Sequence, residues 1–383
     1  MKKKIIFAGG GTGGHLYPII SIAREVAKNL SIDTKIYFVL PSKENLNIVK
    51  KEKFIPKRII SGKLRRYFSF KNLVSPFQIL IGTIQAFVFI SKIKPNIVFL
   101  KGGYGALPVG VVALIKKIPI ILHESDMFPG LITKIFSRWA RLTLISFEET
   151  RNYLYFSPTN IHLLGNPIRN FQCRQGDKIK AKQKLKIDSE KKVIFVLGGS
   201  QGSDEINELI FNLISILTVK FSLIHVIGKK NFSEFRKKIV KEYNNYIQKN
   251  NSKILLQNYR AYPFIEESDL KMVYCASDII ISRAGANTIF EIAQTGKPSI
   301  LIPLIGSASD HQRKNAYAYM KAGACLVVEK PNLKKNIFLK DLDNLLNNKK
   351  RLSFMAKSAR EFAKPNAARD IAELILRTMN DER

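Results

Sequence analysis

A glycine-rich loop followed by a histidine is the first part of this sequence whose residue types could do chemistry. Residues 9–14 contain five glycines and one threonine, and His15 follows directly. Glycines bring backbone N–H groups close to a phosphate, and a histidine beside such a loop is a candidate general base. The glycine spacing also fits a dinucleotide fingerprint, but residues 38–41 lack the carboxylate expected about 20 residues later. We therefore expect no redox cofactor.

Two further glycine loops follow later apolar runs. One occupies residues 102–105, and the other occupies residues 198–203 and includes Ser200. Open α/β sheets bind their ligands outside the carboxyl ends of their strands. The first of these loops could admit a diphosphate or simply turn the chain. We expect the second to direct Ser200 toward a ligand.

The most informative stretch is Ser-Arg-Ala-Gly-Ala-Asn-Thr-Ile-Phe-Glu at residues 282–291. It predicts a strand end, a turn of small residues and the start of a helix. The N-terminus of such a helix can stabilise a leaving pyrophosphate without a metal. Glu291 suits the hydroxyls of a ribose, although it could instead pair with a surface lysine. Residues 310–315 would add imidazole and amide groups near the same place.

Short β-branched runs alternate with amphipathic segments along the whole chain. This alternation builds parallel sheets with crossover helices, and the pattern restarts after residues 165–167. We predict an α/β fold with two Rossmann-like domains, residues 1–165 and 166–351, facing one cleft. The tail from Leu352 to Met379 predicts one amphipathic helix, or two broken at Pro365. The predicted strands are residues 5–8, 35–40, 97–100, 118–123, 142–146, 193–197, 222–227, 253–257, 279–282, 299–302 and 325–328.

Composition limits the class of protein and the kind of partner. The chain has 383 residues, 46% hydrophobic and 24% charged, which excludes disordered, collagen-like and coiled-coil proteins. Lys and Arg number 63 against 30 acidic residues, a net charge of +33. This surplus indicates an acidic partner: nucleic acid, a phosphorylated ligand or an anionic membrane. Since no nucleic-acid-binding motif occurs, we expect no nucleic acid.

The cysteines and the N-terminus bear on compartment. Cys173, Cys275 and Cys325 are widely spaced and form no CxxC motif. This pattern predicts neither a disulfide framework nor a structural zinc site, which fits a reducing compartment. The lysines at residues 2–4 precede an apolar run too short for a signal peptide, which needs about 7–15 apolar residues. We interpret this run as the first strand.

An apolar helix with basic flanks is the part of the chain that could touch a membrane. Residues 77–90 are apolar nearly throughout, with basic residues before and after them. The run is shorter than the about 20 residues that span a bilayer, which predicts a soluble or peripheral protein. The alternatives are a core helix and a membrane dock, and we expect part of the helix to pack and part to touch lipid. The expected membrane patch consists of Phe77, Ile81, Ile84 and Phe87.

Taken together, the glycine loops and residues 123–126, 165–169, 282–291 and 310–315 resemble the MurG group of glycosyltransferase family 28. The resemblance runs from residue 5 to the C-terminal helix, with the motifs in order. It implies a GT-B fold in which the C-terminal domain binds most of the donor. It also implies that the last helix, about 352–383, crosses back to the N-terminal domain.

The resemblance implies inverting transfer of N-acetylglucosamine from UDP-GlcNAc to the C4 hydroxyl of N-acetylmuramyl-pentapeptide in undecaprenyl-linked lipid I. The products are lipid II and UDP, made without a cofactor by a peripheral enzyme on the anionic cytoplasmic face of the cell membrane. A DxD pattern at Asp341–Asp343, which binds metal in another glycosyltransferase fold, lies in a polar helical segment, so we expect no metal site. Alternatives are a UDP-GlcNAc 2-epimerase, a glycolipid glycosyltransferase and a non-enzymatic anionic-membrane or nucleic-acid binder.

The resemblance also carries roles over to individual residues. Many members of the family have Asn where this chain has Asp126, so the identity of the base stays open. The candidate catalytic residues are His15, Glu124 and Asp126. The expected donor-binding residues are Thr12, Gly13, Gly14, Asp126, Arg169, Ser200, Ile265, Glu291 and Gln312. The expected acceptor or diphosphate loop contains Gly102, Gly103 and Tyr104.

Overall fold

The chain forms two compact units in a computed structural model. Unit 1 contains Met1–Arg169 and Lys364–Arg383, and unit 2 contains Asn170–Ala363. The structure describes residues 3–10, 13–29, 34–62, 71–154, 160–169, 171–174, 176–199, 202–250 and 257–380. Each unit is built around its own sheet.

Unit 1 contains a sheet of seven parallel strands within the described residues, in the order β3-β2-β1-β4-β5-β6-β7. Its five predicted strands are confirmed to within two residues, because their β-branched residues are buried on both faces of the sheet. Two short edge strands were not predicted, because one is mostly exposed and the other has only three residues. The strands are β1 Lys4–Gly9, β2 Lys35–Leu40, β3 Ile55–Arg58, β4 Ile97–Lys101, β5 Ile120–Glu124, β6 Leu142–Ile145 and β7 Ile161–Leu163.

Helices cover both faces of this sheet. Ile5 and Phe7 of β1 lie in one core with the first and last helices of the unit, whereas Ile6 and Ala8 lie in the opposite core. This alternation follows from the two-residue period of a strand. The helices in the first segment of unit 1, which ends at Arg169, are α1 Gly13–Lys28, α2 Lys43–Lys51, α3 Lys71–Ile93, α4 Leu107–Ile115 and α5 Leu131–Phe136.

Unit 2 contains six parallel strands in its described part, in the order β10-β9-β8-β11-β12-β13. The strand predicted at residues 253–257 falls mainly on 251–256, which lie outside the described residues, and the strand of this region is Tyr259–Tyr262. The other five predictions are confirmed. The strands are β8 Lys192–Leu197, β9 Phe221–Val226, β10 Tyr259–Tyr262, β11 Ile279–Ser282, β12 Ser299–Leu301 and β13 Cys325–Val327.

The tail forms two helices separated by residues 363–366, which include Pro365, as one of the two sequence interpretations predicts. Proline lacks the N–H that a helix needs. The first tail helix stays with unit 2, and the segment that belongs to unit 1 begins at Lys364, later than the expected position near 352. The remaining helices are α6 Asp177–Lys184, α7 Asp204–Phe211, α8 Ile214–Lys220, α9 Phe232–Asn250, α10 Glu267–Ala276, α11 Ala286–Thr295, α12 His311–Lys321, α13 Lys335–Asn347, α14 Lys349–Phe362 and α15 Ala367–Asn380.

The cysteines contradict the expectation that none of them pairs. Cys173 and Cys275 form a disulfide although 102 residues separate them in the sequence. Cys173 follows the boundary between the units, and Cys275 lies near the end of α10. The fold brings these segments together, which sequence spacing could not reveal. Cys325 is a buried free thiol.

The length of α3 corrects a second expectation. The helix has 23 residues, and its 20-residue segment Val74–Ile93 is long and apolar enough to cross a membrane by length and composition alone, with a mean hydropathy of 1.6. It is the one helix of this kind among the residues that the structure describes. The sequence estimate counted only the uninterrupted apolar run, whereas the helix continues beyond both ends of that run.

Candidate active site

The strand order of each sheet identifies where its ligand site should be. The chain proceeds outward in one direction from β1 and in the other from β4, and the same reversal occurs between β8 and β11. Gly9 at the end of β1 pairs with Lys101 at the end of β4. In unit 2, Leu197 pairs with Ser282 in the same way. Ligands of open α/β sheets bind beyond the strand ends at such a reversal, which selects the glycine loops predicted from the sequence.

Two glycine loops of unit 1 contact each other directly. Gly103 has a φ of +73°, and a Cβ there would lie 2.4 Å from Cα of Gly10. Only glycine allows both the backbone conformation and the close approach. The ring of half-buried His15 packs beside both loops, since a Cβ on Gly10 or on Gly102 would lie 3.1 Å or 3.6 Å from it. The structure therefore brings the first candidate base together with the expected diphosphate loop.

The start of α1 completes this edge of unit 1. Gly13 and Gly14 begin the helix, whereas Thr12 lies outside the described residues. The guanidinium of Arg169 lies over the ring of Tyr17 in α1, 4.4 Å from its centroid. In the second loop, the carbonyl of Tyr104 accepts a 2.7 Å hydrogen bond from a serine hydroxyl. Arg169 thus provides positive charge close to the first turn of α1.

A buried polar cluster lies under the loops of unit 1. The Nζ of Lys101 is 2.5 Å from Nδ1 of His123 and 3.2 Å from Oδ1 of Asn166, and it also donates to the Oγ of Ser125. All four side chains are buried. Burial, followed by the charge of Lys101, keeps the pKa of His123 well below its usual value. The histidine is therefore neutral at neutral pH.

Glu124 is buried and fully engaged by its own chain. Its carboxylate accepts hydrogen bonds from the backbone N–H groups of Asp126 (3.1 Å) and Gly130 (2.8 Å) and from the hydroxyl of Thr133 (2.6 Å). Burial and the charge of Asp126 raise the pKa of Glu124. These contacts favour a role in holding the loop between β5 and α5. Asp126, by contrast, is only half-buried.

In unit 2 an arginine lies one residue beyond the strand end at which unit 1 has its lysine. Arg283 follows β11, is 7% exposed, and donates to the carbonyls of Ile302 and Pro303 at 3.2 and 3.3 Å. It also pairs with Glu205 of α7 at 2.7 Å, and Glu205 pairs with Lys330 at the same distance. Arg283 thereby fixes the chain after β12 relative to the turn after β11.

The N-terminus of α11 follows this turn. Gly285 precedes the helix without a side-chain cap, so the first N–H groups of the helix have no cap of this kind. Asn315 of α12 donates to the carbonyl of Ala284 at 3.4 Å. One turn into α11, the carboxylate of Glu291 accepts a 3.0 Å hydrogen bond from the hydroxyl of Tyr274. Glu291 is therefore held by a buried tyrosine at this position of the helix.

Gln312 anchors the neighbouring loop. Its side-chain oxygen accepts from the N–H of Leu304 at 3.1 Å, and its own N–H donates to the hydroxyl of Ser307 at 3.4 Å. A pocket of about 350 Å³ lies along this loop, lined by residues 303–307, Asp310, Arg313 and Glu329. The loop that Gln312 holds therefore forms one wall of a cavity large enough for part of a ligand.

The two other expected donor residues differ in what the structure describes. Ser200 lies outside the described residues. The side chain of Ile265 is buried in the core of unit 2 together with Phe171 and Tyr274, which leaves its backbone as the group available to a ligand. Asp341 and Asp343 lie on α13, and the described residues contain no group of three His, Cys, Asp or Glu side chains that could hold a metal ion.

The exposed face of α3 contains the expected membrane patch. Phe77, Ile81, Ile84 and Phe87 have exposed fractions of 68, 45, 57 and 43%. Their spacing places them along one side of the helix. The opposite side is packed: Ala86 and Ile90 lie in the core of unit 1, and the N–H of Ile60 donates to Gln85. Lys116 lies 4.2 Å from the ring centroid of Phe87.

Sequence reasoning missed several residues of both units. It gave no role to Lys101, Glu205 or Tyr274, although Lys101 carries one signal, a charge at the last position of an otherwise apolar strand. No comparable signal marks Glu205 or Tyr274, since their partners lie 78 and 17 residues away.

Comparison with known proteins agrees with this arrangement. The N-terminal domain of glycosyltransferase family 28 matches residues 5–145, and its C-terminal domain matches residues 193–375. A Clostridium tetani protein is 39% identical over 92% of each chain and is named UDP-N-acetylglucosamine–N-acetylmuramyl-(pentapeptide) pyrophosphoryl-undecaprenol N-acetylglucosamine transferase. Each family domain covers most of one sheet, and the C-terminal match also extends into the last segment of unit 1.

Solved structures show the same fold. MurG of Acinetobacter baumannii matches with a TM-score of 0.74 and 25% identity, over 98% of this chain and 99% of that one. The UDP-GlcNAc 2-epimerase of Neisseria meningitidis, bound to UDP-GlcNAc, matches with a TM-score of 0.66 and 17% identity over 98% and 100%. The latter likeness concerns the fold alone. With two family domains and a 39% identical relative over nearly its whole length, the chain belongs to glycosyltransferase family 28.

Proposed function

We propose that the chain transfers N-acetylglucosamine from UDP-GlcNAc to the C4 hydroxyl of the N-acetylmuramyl-pentapeptide of lipid I, forming lipid II and UDP. The observation that carries this proposal is the 39% identity, over 92% of both chains, to a relative named for that transfer. The polar groups at the strand ends of both units supply the chemistry that the reaction needs.

Unit 2 is the donor half of this proposal. The N-terminus of α11 stabilises the negative charge of the diphosphate as UDP leaves. Glu291, held by Tyr274 at 3.0 Å, accepts hydrogen bonds from the ribose hydroxyls. Gln312 and Ser200 contact the donor from neighbouring loops, and the backbone at Ile265 contacts the uracil.

Unit 1 is the acceptor half and supplies the base. The acceptor oxygen attacks the anomeric carbon, the bond from that carbon to the phosphate oxygen breaks, and the hydroxyl proton passes to the base. Direct displacement inverts the configuration of the sugar. Because Glu124 already accepts three hydrogen bonds from its own chain, we assign the proton transfer to His15 or Asp126. Gly102 and Gly103 lie against His15, and together with Tyr104 they guide the acceptor diphosphate.

The exposed face of α3 docks the protein to the cytoplasmic face of the cell membrane. The packed side of the helix supports peripheral docking rather than spanning, since spanning would strip Ala86 and Ile90 from the core of unit 1. Apolar side chains insert into the interface, and nearby lysines such as Lys116 add about 1 kcal/mol each on an anionic leaflet. A lipid-linked acceptor is then available at the same surface.

The test is release of UDP from UDP-GlcNAc by the purified full chain, with and without a lipid I analogue and in the presence of EDTA. We expect release that requires the analogue and yields the disaccharide product by mass spectrometry. Release of UDP without any acceptor would indicate an epimerase or a hydrolase. Failure to bind UDP-GlcNAc would overturn the proposal entirely.

A further inference from the structure

The Nζ of Lys101 has three hydrogen-bond acceptors around it although its side chain is only 1% exposed. These are Nδ1 of His123 at 2.5 Å, Oδ1 of Asn166 at 3.2 Å and the Oγ of Ser125. An ammonium carries three N–H donors, whereas a neutral amine carries two. The three acceptors therefore match the charged form of the lysine.

The partners of His123 and Ser125 show which atom donates in each of these hydrogen bonds. The Nε2 of His123 lies 2.9 Å from the carbonyl of Gly165, which can only accept, so Nε2 carries the proton and Nδ1 is an acceptor. The hydroxyl of Ser125 donates in turn to Asn166 at 3.1 Å. Lys101 is consequently the donor in all three of its contacts.

The cluster connects three separate segments of unit 1. Lys101 ends β4 and directly precedes the Gly102–Gly103 loop. His123 and Ser125 flank Glu124 at the end of β5. Asn166 lies in the turn that leads to Arg169 at the boundary of the unit. One buried ammonium thus holds the chain on either side of Glu124, directly before the half-buried Asp126, and it directly precedes the loop that packs against His15.

We propose that Lys101 is a positioning residue for glycosyl transfer, whose ammonium holds the Ser125–Asp126 turn against the Gly102–Gly103 loop. This inference rests on the proposed function and deepens it. Lys101 does not touch the substrate, and it acts by fixing the groups that do. A misplacement of about 1 Å in such groups lowers turnover by about 100-fold.

The charge of the cluster makes this role dependent on pH. Burial lowers the pKa of Lys101 to about 7, whereas the charges of Glu124 and Asp126 oppose this shift. The titratable groups that face the ammonium are these two carboxyls and His123, which is neutral near pH 7. Above neutrality the lysine loses a proton, one of its three hydrogen bonds is lost, and the turn is held less firmly. Turnover should therefore fall on the alkaline side with the loss of one proton.

The experiment compares turnover against pH for the wild-type chain, Lys101→Met, Ser125→Ala and the control Lys182→Met. Lys182 is also a buried lysine, but it lies in unit 2 and donates only to two backbone carbonyls. The assay is acceptor-dependent UDP release with a soluble lipid I analogue, from which kcat and KM are obtained between about pH 6 and pH 9.

We expect Lys101→Met to lower kcat at least about tenfold, to change KM for UDP-GlcNAc by less than about twofold, and to abolish the alkaline decline. Lys182→Met should retain the wild-type profile. A Lys101→Met enzyme with the wild-type kcat or alkaline decline would overturn the inference. An equal loss in Lys182→Met would also overturn it, because the effect would then follow from losing any buried lysine.

Ser125→Ala decides the matter if Lys101→Met does not fold. It removes one acceptor of the ammonium, so the lysine should lose its proton more easily and the alkaline decline should move to lower pH. An unchanged decline in Ser125→Ala would overturn the inference. If the wild-type chain itself releases no UDP with the analogue, the proposed function fails and this inference falls with it. If the wild-type chain turns over and both Lys101→Met and Ser125→Ala show its turnover and its pH profile, the proposed function stands and only this inference fails.

Discussion

The two units place different cations at the corresponding edge of their sheets, one at the end of a strand and one just beyond it. In unit 1, Lys101 ends β4 and its Nζ contacts only side-chain atoms. In unit 2, Arg283 follows β11, contacts two backbone carbonyls and pairs with a carboxylate at 2.7 Å. A lysine is a compact point charge, whereas the planar guanidinium spans several acceptors. The same fold therefore orders side chains around its cation in one unit and backbone carbonyls in the other.

The two units also differ in the carboxylates near their strand ends. Glu124 ends β5 in unit 1 and Asp126 follows it, and we propose Asp126 as one of the two candidate bases. At the corresponding edge of unit 2, the turn before α11 contains only small uncharged residues after Arg283, which suits a diphosphate. Two sheets of one architecture thus acquire separate functions through the residues that follow two strands in each.

The largest expected effect comes from the contact between the glycine loops of unit 1. Gly103→Ala should lower the free energy of unfolding by about 2–4 kcal/mol, because it combines a left-handed backbone with a Cβ 2.4 Å from Gly10. Turnover should fall at least about 100-fold, since His15 packs on the same loops. Urea unfolding and UDP release measure the two effects.

The control for this prediction is Gly199→Ala in unit 2. Gly199 has a φ of +89°, but among the described residues no atom lies within 4 Å of its added Cβ. Gly199→Ala therefore adds only the strain of a left-handed backbone, and the free energy of unfolding should fall by about 1–2 kcal/mol. Equal losses at the two positions would show that the loops of unit 1 are not in close contact.

The second prediction concerns the apolar surface that distinguishes α3. Ile84→Glu should weaken binding to vesicles containing phosphatidylglycerol at least about tenfold, because it removes apolar area and adds a repelled charge. Val219→Glu, at a residue of α8 with a similar exposed fraction (56% against 57%), should leave binding unchanged. Vesicle co-sedimentation tests both, and equal losses would refute a localised patch.

The third prediction separates the half-buried ion pair of unit 2 from an exposed one. Lys330, and then Arg283, lower the pKa of Glu205 below its ordinary value of 4.5. A lowered pKa stabilises the fold above the unfolded value, and this contribution disappears as the pH falls through the folded value. Glu205→Gln should thus reduce the free energy of unfolding by about 1–3 kcal/mol at pH 7, and the difference should vanish at acidic pH.

Glu208→Gln on the same helix is the matched control. Its carboxylate is 58% exposed and 3.8 Å from Lys238, so its loss should change stability by less than about 1 kcal/mol. A pH-independent loss in Glu205→Gln would contradict the assigned ion pair.

The smallest expected effect concerns the hydroxyl that holds Glu291. Tyr274→Phe removes this 3.0 Å hydrogen bond and should weaken UDP-GlcNAc binding by about 1 kcal/mol, or about fivefold. Tyr319→Phe is the control, because its buried hydroxyl has no hydrogen-bond partner in the part of the chain that is described. Tyr319→Phe should leave the affinity for UDP-GlcNAc unchanged. Titration calorimetry measures the dissociation constant of each variant.

The sequence predicted the features that depend on local pattern. Apolar β-branched runs gave ten of the strands near their observed positions, and glycine loops marked the strand ends where the sheet order reverses. The edge strands Ile55–Arg58 and Ile161–Leu163 escaped notice, because one is largely exposed and the other is very short. Local periodicity contains no information about either.

Features that depend on distant contacts could not be predicted. Lys101 meets its acceptors only when residues 22, 24 and 65 positions away converge. Cys173 and Cys275 likewise come together across 102 residues. Residue types at the glycine loops are constrained by local backbone geometry, but partners such as these are chosen by tertiary packing.

The central claim is that unit 2 holds the donor while unit 1 supplies the base. The most direct test measures the dissociation constant of UDP-GlcNAc for His15→Ala and Glu291→Gln by titration calorimetry, beside kcat for each. We predict that His15→Ala lowers kcat at least about 100-fold with an unchanged dissociation constant, whereas Glu291→Gln weakens donor binding at least about tenfold. Unchanged binding in Glu291→Gln, or binding lost in His15→Ala, would contradict this division.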